Sequence, residues 1–343
     1  MADIPHNSLF DHPGHLLELG RRLISAGEGA KALALARQAC AARPNDPLIA
    51  SVAGAIMRFK VAPFHRSMLR DRARNADYRR AIDAVARGRV VLDIGTGSGL
   101  LAMMAARAGA AHVYACESEP MLAATAREIV AANGFADRIT VFAKHSRELD
   151  RVRDLGGGVD LVISEIFGQE LLNEGVLPSL EHARAELCAP GAAFLPEAAA
   201  LRVALYDIGT GADRLGDVEG FDLSEFDKHL KGIRIAELAM LGAMPRSAAA
   251  DLFLFDFRQA VAMEGRARAE LVSTGGRVTG LGQWLRLDFV PGISHENDPM
   301  VAERSSWASA YVPFDAPRET APGARIAIEG WHGEDRVFFW TAR

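Results

Sequence analysis

The sequence predicts an α/β domain followed by an all-β domain, with a short helical module in front. Three observations carry this. From Val90 to Leu101 an apolar, β-branched run leads into a glycine turn and then a helix-forming run. Residues 14–46 carry a helical pattern rich in small residues. Beyond about residue 197, apolar and polar residues alternate with the period of a strand.

The stretch Val90–Leu101 is the most informative. Val90 to Ile94 is too short for a helix and rich in β-branched residues, so it reads as a buried strand. Gly95, Gly97 and Gly99 permit a left-handed backbone and let a ligand approach closely. The run from Leu100 to Ala108 favours a helix. Its amino end presents unpaired N–H groups and a positive dipole end to whatever sits on the turn. Such a turn accepts a dinucleotide or another adenosine ligand, although G-x-G-x-G is not the dinucleotide spacing G-x-G-x-x-G. Ala111 to Cys116 reads as a second strand with Glu117 at its end. A carboxylate there can accept both hydroxyls of a ribose, which supports adenosine without choosing its partner group.

Composition bounds the rest. A chain of 343 residues, 49% hydrophobic and 24% charged, should fold into two or three globular domains. A net charge of −5 offers no basic footprint for nucleic acid. No apolar run reaches the length of a membrane span, and Met1 to Asp11 lacks the apolar core of a secretory signal. Cys40, Cys116 and Cys188 have neither metal spacing nor a disulfide framework, so they read as small buried residues in a reducing cytoplasm. No metal site is expected.

In chain order, Leu16, Leu19, Gly20, Leu23, Ala32, Ala36, Ala39 and Pro44 follow a tetratricopeptide-like pattern, with a further helix at about 47–58. A plain alanine-rich hairpin fits the same residues. One such unit cannot bury its own face, so it should pack on a neighbouring domain or subunit. Phe64 to Tyr78 reads as a basic helix before the first strand. Ile139 to Val141 and Val159 to Ser164 give the third and fourth strands. Val176 to Leu187 reads as a helix, Cys188 to Gly191 as a break, and Ala192 to Leu195 as a last short strand. After Pro196 come strands at 201–206, 252–257, 266–273, 284–289, 307–313, 325–329 and 337–340, which suggest an antiparallel sandwich or barrel.

Met68-Leu69-x-Asp71-x-x-Arg74-x-x-x-Tyr78, followed by Val-Leu-Asp-Ile-Gly-x-Gly-x-Gly-Leu-Leu, resembles the protein arginine methyltransferase family. So do Tyr114-Ala115-Cys116-Glu117, Ala132 to Phe135, Lys144-His145-Ser146, and the segment Ser164 to Gly175 with two acids nine residues apart. Gly276-Arg277-Val278-Thr279-Gly280 with Trp284 is similar to a central strand pair of that family. The resemblance spans roughly residues 56 to 343. It implies a class I methyltransferase Rossmann-like domain over 61–196, a β-barrel substrate domain over 197–343, and a helical module over 1–60. It implies S-adenosylmethionine (SAM) as cofactor and S-adenosylhomocysteine as product. It places His65, Met68, Arg74, Asp93, Gly95, Gly97, Glu117, His145 and Ser146 on the cofactor, with Arg74 on its carboxylate and His145 and Ser146 at the adenine. Glu165 and Glu174 become the catalytic pair, while Glu170 in the same loop should face solvent.

Two carboxylates suit this chemistry. A guanidinium is planar, cationic and a poor nucleophile because its lone pair is delocalised. A bidentate carboxylate can orient it and hold charge on the nitrogens that do not attack. A second completes the clamp and can help accept a proton, and two close acids titrate as a pair.

The match departs at Arg304-Ser305-Ser306-Trp307, where the family has a His-Trp pair. Trp307 and Ser306 are expected to shape the substrate pocket. The serine resembles the symmetric-dimethylating branch, while Met68 and Lys144 to Ser146 resemble others, so the degree of methylation stays open. A tyrosine pair upstream of Phe64 is missing. Residues 212–245, with Gly220 to Ser224, resemble the arm through which family members form homodimers, and a helical insertion fits them as well. The expected partner is an arginine-containing protein, with no nucleic acid and no membrane. A methyltransferase for small guanidines and a non-catalytic SAM-binding scaffold remain the alternatives.

Overall fold

The computed structural model describes residues 9–61, 64–209, 216–226, 229, 234–235, 238–301 and 305–342. It divides into two compact units. The first comprises residues 1–70, 78–165 and 181–195; the second comprises 71–77, 166–180 and 196–343.

In the first unit, α1 (Pro13–Ser25), α2 (Gly29–Ala42) and α3 (Pro47–Met57) form the helical module. Asp46 caps α3 by accepting the N–H groups of Leu48 and Ile49. Leu16, Ile24, Ala36, Ala39, Ile49 and Ile56 bury against one another and against Met121 and Ala124 of a later helix. Two helices follow, α4 (His65–Arg70) and α5 (Arg72–Val85), where one continuous basic helix was expected. The division between units falls within α5, after Asp77.

Strands β1 (Val90–Ile94), β2 (His112–Cys116), β3 (Ile139–Phe142), β4 (Val159–Ser164) and β5 (Cys188–Leu195) form a parallel sheet in the order β3-β2-β1-β4-β5. Helices α6 (Leu100–Arg107) and α7 (Pro120–Ala132) supply the crossovers from β1 to β2 and from β2 to β3. The strand order reverses beside β1, and in open α/β sheets ligands bind at that switch point, outside the carboxyl ends of the strands. The expected break at Cys188–Gly191 is instead the start of β5, which the sheet accommodates by an irregular register between Val159 and Leu161.

Helix α8 (Val176–His182) passes into a π-helical turn over Ala183–Leu187. The second unit is mostly antiparallel sheet. Strand β6 (Ala198–Asp207) is buried almost throughout. A hairpin of β7 (Asp217–Val218) and β8 (Phe221–Asp222) and the short strands β9 (Arg234–Ile235) and β10 (Met244–Pro245) lie where the arm was expected. Of that segment, 212–215, 227–228, 230–233 and 236–237 lie outside the described residues. Strands β11 (Ala250–Asp256), β12 (Gly265–Val272), β13 (Gly276–Val290), β14 (Ile293–Glu296), β15 (Ala310–Thr320), β16 (Arg325–His332) and β17 (Val337–Thr341) complete it. The fifteen-residue β13 pairs with β6, β14 and β15, so the expected pair around Trp284 is one long central strand.

The helical module is fixed by close approach. Gly29 opens α2 against the backbone of Pro120 at the start of α7, and a Cβ there would collide with that backbone. Arg37 reaches Glu128 bidentately at 2.6 Å, but both are exposed and contribute little. Gly29→Ala should therefore lower stability by about 1–3 kcal/mol through overpacking, while Arg37→Ala changes it by no more than about 1 kcal/mol. Denaturant titration of the two variants beside wild type checks the contrast.

Candidate functional site

The register of the parallel sheet gathers the predicted residues of the first unit at one edge. Ile94 pairs with Cys116 on one side and Ser164 on the other, and Cys116 pairs with Phe142. The next residues along these strands are therefore neighbours at the carboxyl edge. Gly95 follows β1, Glu117 follows β2, His145 lies three residues beyond β3, and Glu165 follows β4.

The turn after β1 is built by its glycines and one buried acid. Gly95, Gly97 and Gly99 have φ of 71°, 54° and 81°, so a side chain at any of them would be strained. The N–H groups of Gly95 and Thr96 both donate to the Cys116 carbonyl at 3.0 Å. Asp93 is 1% exposed. Its Oδ2 accepts the Thr96 hydroxyl at 2.5 Å and the Ala102 N–H at 3.1 Å, tying the turn to the first turn of α6. Burial pushes the Asp93 carboxyl up to about 6, against the pull of those two hydrogen bonds.

Glu117 is buried beside the turn. One carboxylate oxygen accepts the Gly97 N–H at 3.0 Å and the other the Glu119 N–H at 2.9 Å. Each oxygen keeps a further lone pair, which suits a diol. His65 is half-buried within the electrostatic reach of Glu117; burial lowers its pKa and the carboxylate opposes the shift. Met68 is half-buried on the same short helix. His145 caps a 3-10 turn, its Nδ1 accepting the Arg147 N–H at 3.2 Å while its backbone N–H donates to the Glu148 carboxylate at 2.9 Å. Burial, then Arg147, lowers the His145 pKa. The Ser146 hydroxyl is buried and has no hydrogen-bond partner among the described residues.

Tyr78 is fully buried and donates its hydroxyl to the Ser164 carbonyl at 2.9 Å, which pins the end of β4 immediately before Glu165. Glu165 is half-buried and Glu174 exposed. Glu170, expected in solvent, is half-buried, in a turn closed by a bridge between Gly168 and Leu171. Leu171 is fully buried at φ 68°, a left-handed conformation that only a firmly braced loop retains.

The braces for that loop lie in the second unit. Trp307 donates its indole N–H to the Phe167 carbonyl at 2.8 Å, and Gln283 donates to the Gln169 carbonyl at 3.0 Å. Trp307 is itself held by Asn297, whose amide donates to its carbonyl at 2.9 Å. Arg74 is 2% exposed, with its guanidinium 5.8 Å from the centre of the Trp307 ring. Asp71 accepts the backbone N–H groups of Ser306 at 2.7 Å and of Arg74 at 3.0 Å. Burial pushes the Asp71 carboxyl up, but those N–H groups outweigh it and hold it below the usual range. Ser306 is half-buried, and Arg304 lies outside the described residues.

Sequence reasoning quoted Asp71 and Tyr78 in a motif without giving either a role. It missed Asn297, Gln283 and the pair Asp77–His295 altogether. No spacing signals the contacts of Gln283 with Gln169 or of His295 with Asp77, more than a hundred positions apart, and Asn297 carries no motif. The three cysteines have no disulfide partners, and burial raises the thiols of Cys116 and Cys188 to about 12 and about 11, far from nucleophiles.

Comparison with known proteins identifies the family. The family model described as ribosomal protein L11 methyltransferase (PrmA) matches residues 80–184. An arginine N(omega)-methyltransferase of Streptomyces achromogenes subsp. streptozoticus is 39% identical over 308 residues, covering 87% of this chain and 85% of its own. This chain belongs to the protein arginine N-methyltransferase family. Its members are class I, SAM-dependent methyltransferases. Protein arginine N-methyltransferase 7 of Oryza sativa subsp. japonica is 45% identical over 139 residues, which are 38% of this methyltransferase but only 19% of the rice protein. The solved Trypanosoma brucei PRMT1 enzyme–prozyme heterotetrameric complex with AdoHcy matches with a TM-score of 0.72 at 25% identity, covering 83% of this chain and 98% of its own. The fold of a Rossmann-like parallel sheet and an antiparallel sheet domain is thus the family's, and the reaction is SAM-dependent methylation of arginine.

Asp93 makes a pH prediction. Its folded pKa is raised, so the folded state holds the proton more tightly than the unfolded state does. Stability therefore falls as pH rises from about 4 through about 6. Asp93→Asn should flatten that part of the profile, by up to about 1.4 kcal/mol per pH unit. Urea melts of the ligand-free protein across this range would show it, and parallel curves for the two proteins would contradict it.

Proposed function

We propose that this methyltransferase carries the SAM methyl group to arginine guanidinium groups of protein substrates, with Glu165 and Glu174 as the clamp. The adjacency of Gly95 and Glu165, set by the pairing of Ile94 with Ser164, carries this reading. It places a ligand-accommodating turn beside a carboxylate at the switch point of the sheet. Glu117 takes the ribose hydroxyls. His145 and Ser146 take the adenine, the buried Ser146 hydroxyl finding a partner there. Gly95, Gly97 and Asp93 shape the turn, and His65, Met68 and Arg74 complete the cofactor site, Arg74 on its carboxylate. Ser306 and Trp307 shape the guanidinium pocket.

The clamp orients the guanidinium and draws charge toward the held nitrogens. It leaves the remaining nitrogen in line with the sulfonium methyl. The site requires no metal. The domains are a tetratricopeptide-like module over 1–60, a SAM domain over 61–196 and a barrel substrate domain over 197–343.

A homodimer formed through the arm belongs to the same reading. Val218, Phe221, Leu223, Phe226, Leu241 and Met244 expose apolar surface close together in sequence, with Phe221 at 70%. Such exposure is unusual without a partner surface. No helix among the described residues is long and apolar enough to cross a membrane, and free thiols suit the cytoplasm.

A second substrate reading, free arginine, is favoured by one observation. The relative that spans most of this chain is named for arginine, without the word protein. Methyl transfer from labelled SAM to an arginine-rich peptide and, separately, to free arginine decides between them. Labelled peptide supports the first reading; labelled arginine with silent peptide supports the second. Glu165→Gln and Glu174→Gln should each lose transfer by roughly 10²-fold or more with SAM affinity retained. Light scattering should give twice the monomer mass of 36.9 kDa for wild type and the monomer for Phe221→Asp/Phe226→Asp.

A further inference from the structure

Strands β11 and β12 are consecutive in the chain, yet they form no ladder with each other. Among the described residues β11 pairs with β6 and β12 with β16, and a single antiparallel bridge between Ser247 and Ser273 joins their far ends. Toward the loop that connects them the two strands part, and a cavity of about 340 Å³ opens between their edges. Ligand cavities run from about 300 to 1,000 Å³, so this one suits a small ligand or a single side chain. Its lining includes Asp256, Gln259, Val261, Glu264, Gly265 and His332.

His332 is 6% exposed. The rings of Phe253 and Phe255 stand almost perpendicular to it, 5.4 and 4.9 Å away between centres, and fix its orientation. Its Nδ1 lies 3.2 Å from the Gly333 carbonyl, which can only accept, so Nδ1 carries the proton and Nε2 offers a lone pair. Burial lowers the pKa of the ring and keeps it neutral. Nε2 has no hydrogen-bond partner among the described residues, which is costly for an acceptor on so buried a side chain. A Cβ on Gly265 would lie 2.6 Å from Nε2. The backbone of Gly265 is not left-handed, so the use of this glycine is room, and the room lies beside that nitrogen.

The charges around the cavity favour a cation. Asp256 is neutralised by Arg258, whose Nε and Nη2 both donate to it at 2.8 Å. Arg266 falls on the opposite face of β12 from Gly265 by the alternation of the strand. Glu264 accepts the Trp331 indole N–H, a neutral donor, at 2.7 Å and has no cationic partner among the described residues. It is close enough to push the His332 pKa upward, against burial. A lone-pair acceptor and an uncompensated carboxylate on one cavity call for a ligand that is cationic and rich in N–H groups. A guanidinium is both.

We propose that this cavity binds a guanidinium group, with His332 Nε2 accepting one of its N–H groups and Glu264 opposing its charge. In a protein substrate that group is a second arginine, an assignment that rests on the proposed methylation of proteins; free arginine is the other source of the same group. A substrate held there raises the local concentration of its remaining arginines.

The probe for the site itself is ethylguanidinium, titrated into the full chain carrying ¹⁵N-labelled histidine. The His332 ring signal, identified by its loss in His332→Phe, should shift saturably, and Glu264→Gln should weaken that binding roughly threefold or more. A His332 signal that stays still overturns the site, as does an unchanged affinity in Glu264→Gln. Glu264 is exposed and glutamine still accepts the Trp331 indole, so this variant folds even where His332→Phe melts early. The source is decided by KM for glycine-spaced peptides with one and with three arginines. Protein arginine as the source predicts a KM for the three-arginine peptide roughly fivefold or more below the other, with His332→Phe and Glu264→Gln bringing the two values together. Equal values in wild type, beside a His332 signal that answers to free arginine, overturn the peptide as the source. A wild type that methylates no peptide overturns the proposed reaction, and the ethylguanidinium titration still decides the site.

Discussion

The first unit's site depends on one buried carboxylate. Asp93 lies one residue before the end of β1, with the Thr96 hydroxyl and the Ala102 N–H both on one of its oxygens. Those two bonds join strand, turn and helix across nine residues. The turn between them has three residues in left-handed conformations, which the chain alone would not hold. Burial makes the carboxylate costly to ionise, and that cost is the stored price of a rigid turn. Glu117 extends the arrangement by holding the Gly97 N–H from the neighbouring strand.

Parallel pairing then distributes the chemistry. A parallel sheet in which β1 lies between β2 and β4 brings their carboxyl ends together whatever the lengths of the crossovers. This is why residues as far apart as Gly95, Glu117 and Glu165 share an edge. Tyr78 adds a lock from outside the sheet, bonding the last carbonyl of β4. The residue that follows a pinned strand end has little freedom, as the acid of a clamp requires.

That edge was legible in the sequence because it is local. The β-branched run, the glycines and the acid at the end of β2 each lie within a few residues of the next, and short-range rules apply. The limits of that legibility are equally physical. Proline and glycine at 190 and 191 read as a break, yet the strand runs from Cys188 and takes them up as an irregularity between the pairs Val159–Cys188 and Leu161–Ala193. Glu170 read as solvent-facing, yet it is half-buried in the turn that a bridge between Gly168 and Leu171 closes. A left-handed Leu171 follows no local propensity and exists only because the surroundings impose it. The braces on Phe167 and Gln169 come from Trp307 and Gln283, more than a hundred residues later, where no periodicity could pair them.

The second unit shows how a family pattern can change without losing its form. Trp307 remains and is held at its indole N–H by Phe167 and at its carbonyl by Asn297. The position before it carries serine, whose backbone N–H donates to Asp71 beside the Ser305 hydroxyl. The imidazole beside Trp307 arrives instead on β14, facing the Asp77 carboxylate from the same short segment that supplies Asp71 and Arg74. What the segment Asp71–Asp77 fixes is therefore a pair of carboxylates, one for the loop backbone and one for a ring.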